Sequence, residues 1–216
     1  DVEVEVEPGT GAGGRLPRWL FLRALGLIFF VAITSFWAQA MGLIGSDGIT
    51  PAAVFMNNLS QAVAESADLS WWHRPTLFWF LPASDLGIHL ICLTGTLLAI
   101  GLVFGFLPRL TIFGLWAIYL SLFTVSGPFL GYQWDILLLE VGIISVFYAP
   151  GTFRPGLSNT REPGPLIVWI YRLILFKLVI SSGLVKLNSG DPTWQDLTAL
   201  DYHFWTQPIP HQLAWF

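Results

Sequence analysis

The sequence predicts an all-α, polytopic helical membrane protein, and its composition and apolar runs both support that fold class. Hydrophobic residues make up 54% of the 216 residues and charged residues only 11%, whereas soluble domains carry about a quarter charged residues. Several apolar stretches reach the ~20 residues that a helix needs to cross about 30 Å of hydrocarbon. Because no water satisfies the backbone there, the crossing segments must be helices.

Five apolar runs predict about five transmembrane helices within a bundle over 19–187. The pair Pro108-Arg109 separates the second run from the third and predicts a tight antiparallel hairpin. Pro165 suits the first turn of the last helix, and the fourth run is the shortest. The five predicted spans are 19–44, 84–107, 110–126, 133–149 and 165–187.

Three stretches should not cross the bilayer. Residues 1–18 are acidic and then Gly-rich, which predicts a disordered tail. Residues 45–83 contain a predicted surface helix over 51–66 with one apolar stripe, followed by WWHRPTLFWFLP, whose tryptophans are typical of the membrane interface. Residues 188–216 are polar and interrupted by proline, and we expect a lumenal or periplasmic interfacial segment that continues into a further C-terminal part.

Charge and motif content exclude several classes of function. A net charge of −4 without any Lys/Arg-rich run argues against nucleic acid. The single cysteine, Cys92, can form neither an internal disulfide nor a thiolate cluster. The histidines lack metal-ligand spacing, so we predict neither a metal site nor a cofactor. GLVFG at 101–105 matches the small-xxx-small motif, an unspecific signal for close helix contact.

The distribution of basic residues predicts the orientation. With the N-terminus in the cytoplasm, five arginines lie on the cytoplasmic side, whereas only Arg74 and Lys186 lie opposite. Positively charged flanks are retained in the cytoplasm, so this asymmetry favours a cytoplasmic N-terminus. The five are Arg15, Arg18, Arg109, Arg154 and Arg161.

Charged residues within the predicted spans should face protein or water, because an unpaired charge in hydrocarbon costs several kcal/mol. Glu140 is predicted to lie level with the gap between Arg172 and Lys177, and Arg23 completes this intramembrane charge network. Asp135 should lie near the lumenal side, where it meets Lys186 or water. Two interpretations of the network stay open: an ion pair that fixes helix register, and a polar functional site.

Several stretches resemble the lipase maturation factor family. GLIGSDGITPA at 42–52 is followed by RPTLFWF and SDLGIHLIC, FLGYQWDILLLEVG occupies 129–142, and the most specific stretch, 183–216, reads GLVKLNSGDPTWQDLTALDYHFWTQPIPHQLAWF. The resemblance extends from the first span to the C-terminus. The chain departs from the family at Gly127-Pro128, where members usually have Gly-Gln.

The resemblance implies a multi-pass protein that assists maturation of secreted proteins such as lipases, in the endoplasmic reticulum membrane of a eukaryote or the inner membrane of a bacterium. Its partners would then be membrane lipids and secreted client proteins; the oligomeric state stays open. The expected client-facing surface comprises 45–83 and 188–216, and its candidate residues are Trp194, Asp196, Asp201, Tyr202, His203 and Gln207.

A second hypothesis keeps an enzymatic function open. The family is distantly similar to membrane proteins that include the vitamin K-dependent carboxylase. An enzyme of that kind could use Lys177 or Lys186 as the base, with Glu140 as the charged partner. A transporter would need broken helices at mid-membrane, which the five runs do not display.

Overall fold

The computed structural model describes residues 15–65, 70–156 and 163–206, with side chains described as far as His203. These residues form α-helices, short 3-10 turns and loops, and no strand occurs among them. The chain divides into two compact units, Asp1–Ile167 and Val168–Phe216. The helices are α1 (Arg15–Ile44), α2 (Ala52–Glu65), α3 (Asp85–Phe104), α4 (Pro108–Ser126), α5 (Gln133–Tyr148), α6 (Pro165–Asn188), α7 (Pro192–Gln195) and α8 (Ala199–Thr206).

Four of the described helices are long and apolar enough to cross a membrane, which is one fewer than the sequence predicts. They are α1, α3, α4 with its extension to Leu130, and α6. The predicted fourth span at 133–149 coincides with α5, but α5 has only 16 residues. At roughly 1.5 Å per residue it is about 24 Å long, shorter than the ~30 Å hydrocarbon core. α1 also begins at Arg15, before the predicted start at 19.

The first unit packs α1 against α3, α3 against α4 and α4 against α5. Short connections join α3 to α4 and α4 to α5, so these consecutive helices are antiparallel. Each contributes a buried stripe to one core, while large apolar side chains on the outer faces stay exposed, as expected of helices that face lipid. The buried stripes include Phe29 and Ile33 of α1, Ile88 and Cys92 of α3, and Leu115 and Leu122 of α4.

Glycine determines how closely α1 approaches α3, but at a position other than the predicted motif. A Cβ atom added at Gly26 would lie 3.0 Å from the backbone nitrogen of Val103, so the two helices nearly touch there. A Cβ atom added at Gly101, by contrast, would meet no atom of another element within 4 Å. Gly105 ends α3 with a φ of 79°, a left-handed conformation that favours glycine. GLVFG therefore contributes Val103 to the close contact with α1, and its last glycine terminates the helix.

The predicted hairpin at Pro108-Arg109 is confirmed, and it is tied to the segment after α5. The backbone N–H of Leu107 donates to the carbonyl of Phe153 at 2.7 Å. The Arg109 guanidinium donates to the carbonyl of Ala149 at 3.1 Å. We call this end of the first unit, formed by the start of α1, residues 105–109 and residues 149–156, the arginine end.

The opposite end, which we call the loop end, consists of residues 45–65, 70–84 and 127–132. The helix predicted over 51–66 is present as α2, and its position at the membrane surface stays a prediction. The turn after α1 is held to the start of α3, because Asp85 accepts hydrogen bonds from the Ser46 backbone at 2.8 Å and from its hydroxyl at 2.7 Å. One polar contact also joins α1 and α3 below this turn: the Trp37 indole donates to His89 Nδ1 at 2.8 Å.

The second unit contains most of α6 together with α7 and α8. No residue of α6 is buried. The predicted cap of the following short helix is confirmed, because Asp191 Oδ1 accepts from the backbone N–H of Thr193 at 3.0 Å and Pro192 opens the first turn. Lys186, in the last turn of α6, lies over the ring of Trp194 at 4.9 Å.

Candidate functional site

A buried carboxylate at the start of α5 is the most constrained polar group of the first unit. Asp135 is only 3% exposed. Its Oδ1 accepts a hydrogen bond of 2.6 Å from the Tyr119 hydroxyl of α4, and its Oδ2 accepts one of 3.1 Å from the backbone N–H of Tyr132. Tyr119 is itself buried. Protein donors meet both oxygens of Asp135, and whether Lys186 or water also reaches this carboxylate stays a prediction.

Asp135 and Tyr119 lie at the wall of a cavity of about 340 Å³. The other walls come from α1, from the 3-10 turn at Gly127–Leu130 and from α5, so the cavity lies within the first unit. Two further polar side chains, Ser35 and Gln39, line it from α1. Apolar walls with a few convergent polar groups are typical of sites for small amphipathic molecules.

The second surface with a defined shape is a groove at the loop end. It has a volume of about 410 Å³ and lies between α2 and residues 78–84. Its floor includes Met56 and Phe78, which belong to the apolar core, and its rim includes Asn57 and Ser60. An apolar floor with a polar rim is the usual anatomy of a protein-binding surface.

Exposed aromatic side chains lie in the segment 70–84, between α2 and α3. Trp71 is 55% exposed, Trp72 61% and Phe80 83%. The segment that carries them is nevertheless firmly attached to α4. The backbone N–H of Leu77 donates to Ser121 Oγ at 2.8 Å, and the Thr124 hydroxyl donates to the carbonyl of Pro75 at 3.0 Å. The loop end therefore presents large apolar side chains from a fixed backbone.

The predicted charge network is distributed over both units. Glu140 lies on α5 in the first unit, whereas Arg172 and Lys177 lie on α6 in the second, so their pairing stays a prediction. Arg172 lies over the ring of Trp169 at 5.0 Å. Arg23 interacts locally on α1: its guanidinium lies 4.2 Å from the Trp19 ring centroid and donates to the Trp19 carbonyl at 3.4 Å.

The predicted client-facing residues belong to the last part of the second unit. Asp196 ends α7, and Asp201 lies in the first turn of α8. Tyr202 and His203 are exposed, and Trp194 is half-buried beneath Lys186. Gln207 lies outside the described residues. Whether these side chains form one site stays a prediction.

Sequence reasoning missed the partnership between Tyr119 and Asp135 and the cavity beside it. Asp135 was recognised as an intramembrane charge, but Tyr119 precedes it by 16 positions and sits in a different helix. Two features of the sequence could have indicated this pair. Asp135 lies in the first turn of the short apolar helix α5, and the preceding helix, α4, contains a single tyrosine. An aspartate at that depth needs a donor, and Tyr119 is the tyrosine of the antiparallel neighbour.

Long apolar helices, a core between consecutive antiparallel neighbours and polar groups satisfied inside the bundle define a polytopic α-helical membrane protein. The family model described as lipase maturation factor transmembrane domain matches residues 16–216. The chain belongs to the lipase maturation factor family.

Relatives of both numbered types in the family are similar to this chain. Lipase maturation factor 2 of Xenopus tropicalis is 42% identical over 94% of this chain, and that of Homo sapiens is 39% identical over 95%. Lipase maturation factor 1 of Mus musculus is 32% identical over 93%. These matches cover 29%, 30% and 36% of the relatives, so the chain spans about a third of their length. No solved structure matches the chain.

Proposed function

We propose that this chain is the membrane part of a factor that assists the folding, assembly or maturation of secreted proteins such as lipases. The names of its relatives, lipase maturation factors 1 and 2, support this role. Such clients fold on the far side of the membrane from the cytoplasm. A factor of this kind therefore needs a surface on that side that contacts partly folded chains, and the endoplasmic reticulum membrane, or the inner membrane of a bacterium, is the expected location.

The loop end is the proposed client side. The arginine end carries Arg15, Arg18, Arg109 and Arg154, whereas Arg74 is the single arginine in the described part of the loop end. By the positive-inside rule this asymmetry assigns the arginine end and the N-terminus to the cytoplasm. The loop end would then face the lumen or periplasm.

The observation that carries the proposal is the set of exposed aromatic side chains held on a fixed frame. Trp71, Trp72 and Phe80 are exposed in the segment 70–84, part of which lines the groove. Hydrogen bonds at Pro75 and Leu77 attach this segment to α4. Aromatic residues are enriched at protein interfaces and among the few residues that dominate the binding energy. A fixed aromatic surface suits repeated, transient binding of exposed apolar segments.

Residues at the end of the second unit complete the proposal. Trp194, Asp196, Asp201, Tyr202, His203 and Gln207 are the candidate client contacts there. The exposed carboxylates and the imidazole would contribute polar contacts beside the aromatic ones. Their polarity is not required for anchoring at the bilayer surface, which tryptophan alone can provide.

Secretion of active lipase by cells that lack the endogenous factor tests the proposal. The full-length protein would be supplied as wild type, as Trp71→Ala with Trp72→Ala, and as Trp194→Ala with Tyr202→Ala. We expect both double variants to accumulate normally in the membrane and to reduce the secreted active lipase at least severalfold. The lipase polypeptide should still be synthesised but remain inactive inside the cell.

A matched control distinguishes client contact from membrane anchoring. Phe104 and Phe147 are exposed aromatic residues near the arginine end, so Phe104→Ala with Phe147→Ala removes comparable apolar area from the other membrane face. Equal loss of maturation in the control and in the loop-end variant would contradict the client surface. A separate variant, Lys177→Met, tests the enzymatic alternative. If this variant alone abolishes lipase maturation at normal protein abundance, the client-surface hypothesis is wrong and an enzymatic function is favoured.

A further inference from the structure

We propose that the arginine end contains a binding site for the phosphate headgroup of an anionic phospholipid. Four arginines from three separate segments meet there: Arg15 and Arg18 begin α1, Arg109 follows the α3–α4 turn, and Arg154 follows α5. Arg23 lies two turns further along α1. A concentration of guanidinium groups at one end of a helical bundle attracts phosphate, to which arginine can donate two parallel hydrogen bonds.

A narrow cleft lies beside these arginines. Its volume of about 10 Å³ admits only a water-sized group, so the headgroup would bind at its mouth. Arg15, Arg18 and Arg23 line the cleft on one side, and Pro150, Gly156 and the buried Pro155 line it on the other. The apolar part of the wall comes from Trp19 and Leu22. A charged rim above an apolar wall matches a phospholipid, whose phosphate is followed by hydrocarbon, better than a free anion.

Aromatic rings hold several of these guanidinium groups in place. Arg18 lies 5.5 Å from the ring centroid of Tyr148, Arg23 lies 4.2 Å from that of Trp19, and Arg154 lies 5.2 Å from that of Phe106. Stacking covers one face of a guanidinium group but leaves its N–H edge available in the ring plane. The donors are thus positioned before a ligand arrives, which lowers the entropy cost of binding.

The first unit supplies these arginines with little acidic compensation. Among its described residues, the acidic side chains are Asp47 and Glu65 at the loop end, Asp85 at the start of α3, and Asp135 and Glu140 in α5. The Nε atom of Arg15 is buried and has no hydrogen-bond partner among the described residues. A buried donor of a charged group costs free energy unless an acceptor meets it, and a phosphate oxygen would do so.

Lipid binding by the full-length protein, purified in a neutral detergent, tests the site. Native mass spectrometry would count bound phosphatidylglycerol and phosphatidylcholine across a lipid titration. We expect phosphatidylglycerol to bind at least tenfold more tightly. Each arginine near an anionic membrane surface contributes about 1 kcal/mol, or roughly fivefold. Arg15→Gln with Arg23→Gln should therefore weaken phosphatidylglycerol binding about 25-fold, and high salt should weaken binding to the wild type.

The matched control is Arg74→Gln, which removes an exposed arginine at the loop end and should leave lipid binding unchanged. Equal binding of the two lipids, or an undiminished affinity of the arginine-end double variant, would overturn the proposal. If that variant does not fold, the salt dependence and headgroup preference of the wild type decide. Displacement of the lipid by millimolar inorganic phosphate would show that the site binds a free anion, and it would overturn the proposal of a lipid site.

The acidic tail at 1–7 provides a competing occupant from the same chain. Neutralising it by Glu3→Gln, Glu5→Gln and Glu7→Gln separates the two cases. If phosphatidylglycerol binds equally with and without the tail charges, the lipid is the occupant. If it binds only after neutralisation, the tail occupies the cleft and the lipid proposal fails.

Discussion

Removing one hydroxyl group, by Tyr119→Phe, tests whether the buried carboxylate of α5 depends on its neighbour in α4. The change leaves the ring in place, including its edge contact with Phe29, and deletes only the 2.6 Å hydrogen bond to Asp135. Asp135 keeps its bond from the Tyr132 backbone. The free energy of unfolding should therefore fall by the value of one hydrogen bond.

Two kinds of measurement bound the size of that loss. Hydrogen bonds to charged groups contribute about 1.5–3 kcal/mol in soluble proteins. Side-chain hydrogen bonds between membrane helices average about 0.6 kcal/mol and reach about 1.7. The bond here is short, lies between two buried groups and has an acidic acceptor, so we expect about 1.5 kcal/mol, near the upper membrane value.

Reversible unfolding in mixed micelles with increasing sodium dodecyl sulfate would measure the loss. A double-mutant cycle with Asp135→Asn isolates the pair, and its coupling energy should also be about 1.5 kcal/mol. Tyr132→Phe is the control, because that ring is exposed and stacks on Trp134, and it should change the stability by less than about 0.5 kcal/mol. A coupling energy below about 0.5 kcal/mol would refute the reasoning and indicate that water in the adjacent cavity solvates the carboxylate.

Two further predictions concern packing. Gly26→Leu places a side chain where α1 meets the backbone of Val103, so it should destabilise the protein by about 1–3 kcal/mol in the same unfolding assay. Gly101→Leu adds its side chain in open space and should leave the stability unchanged or slightly raised. Equal losses of stability at both glycines would contradict the assigned contact. Ser121→Ala leaves the buried N–H of Leu77 without its acceptor, so limited proteolysis within 70–80 should accelerate while the helices stay intact, and an unchanged cleavage rate would show that other contacts fix this segment.

The positions of the helices along the chain could be predicted from the sequence better than the contacts that each helix makes. Apolar runs bounded by proline and glycine gave the positions of the long helices, because hydrophobic length and helix breakers are local properties. α5 coincided with its predicted run but proved too short to cross alone, and its shortness is itself local information. The exposed tryptophans at 71–72 also followed from composition, since the interface selects amphipathic rings.

The arrangement of polar groups could not be read in the same way. Asp135 has a partner in another helix, and which face of α5 meets α4 depends on the packing of whole helices. The small-xxx-small motif at 101–105 shows the same limit. It indicates a close helix contact, which forms at Val103, but it does not indicate the partner, since Gly26 of α1 has no motif around it. Arg23 lies over the ring of Trp19, one turn away on its own helix, and its place in the charge network stays a prediction.

The dependence of Asp135 on Tyr119 also bears on how the chain enters the membrane during synthesis. A helix of 16 residues with an aspartate and a glutamate inserts poorly by itself, since an unpaired charge in hydrocarbon costs several kcal/mol. α4 leaves the ribosome first and carries the Tyr119 hydroxyl group, which donates a hydrogen bond to the Asp135 carboxylate. The two helices should therefore partition into lipid as a preassembled hairpin, with α4 acting as an insertion partner for the segment that follows it.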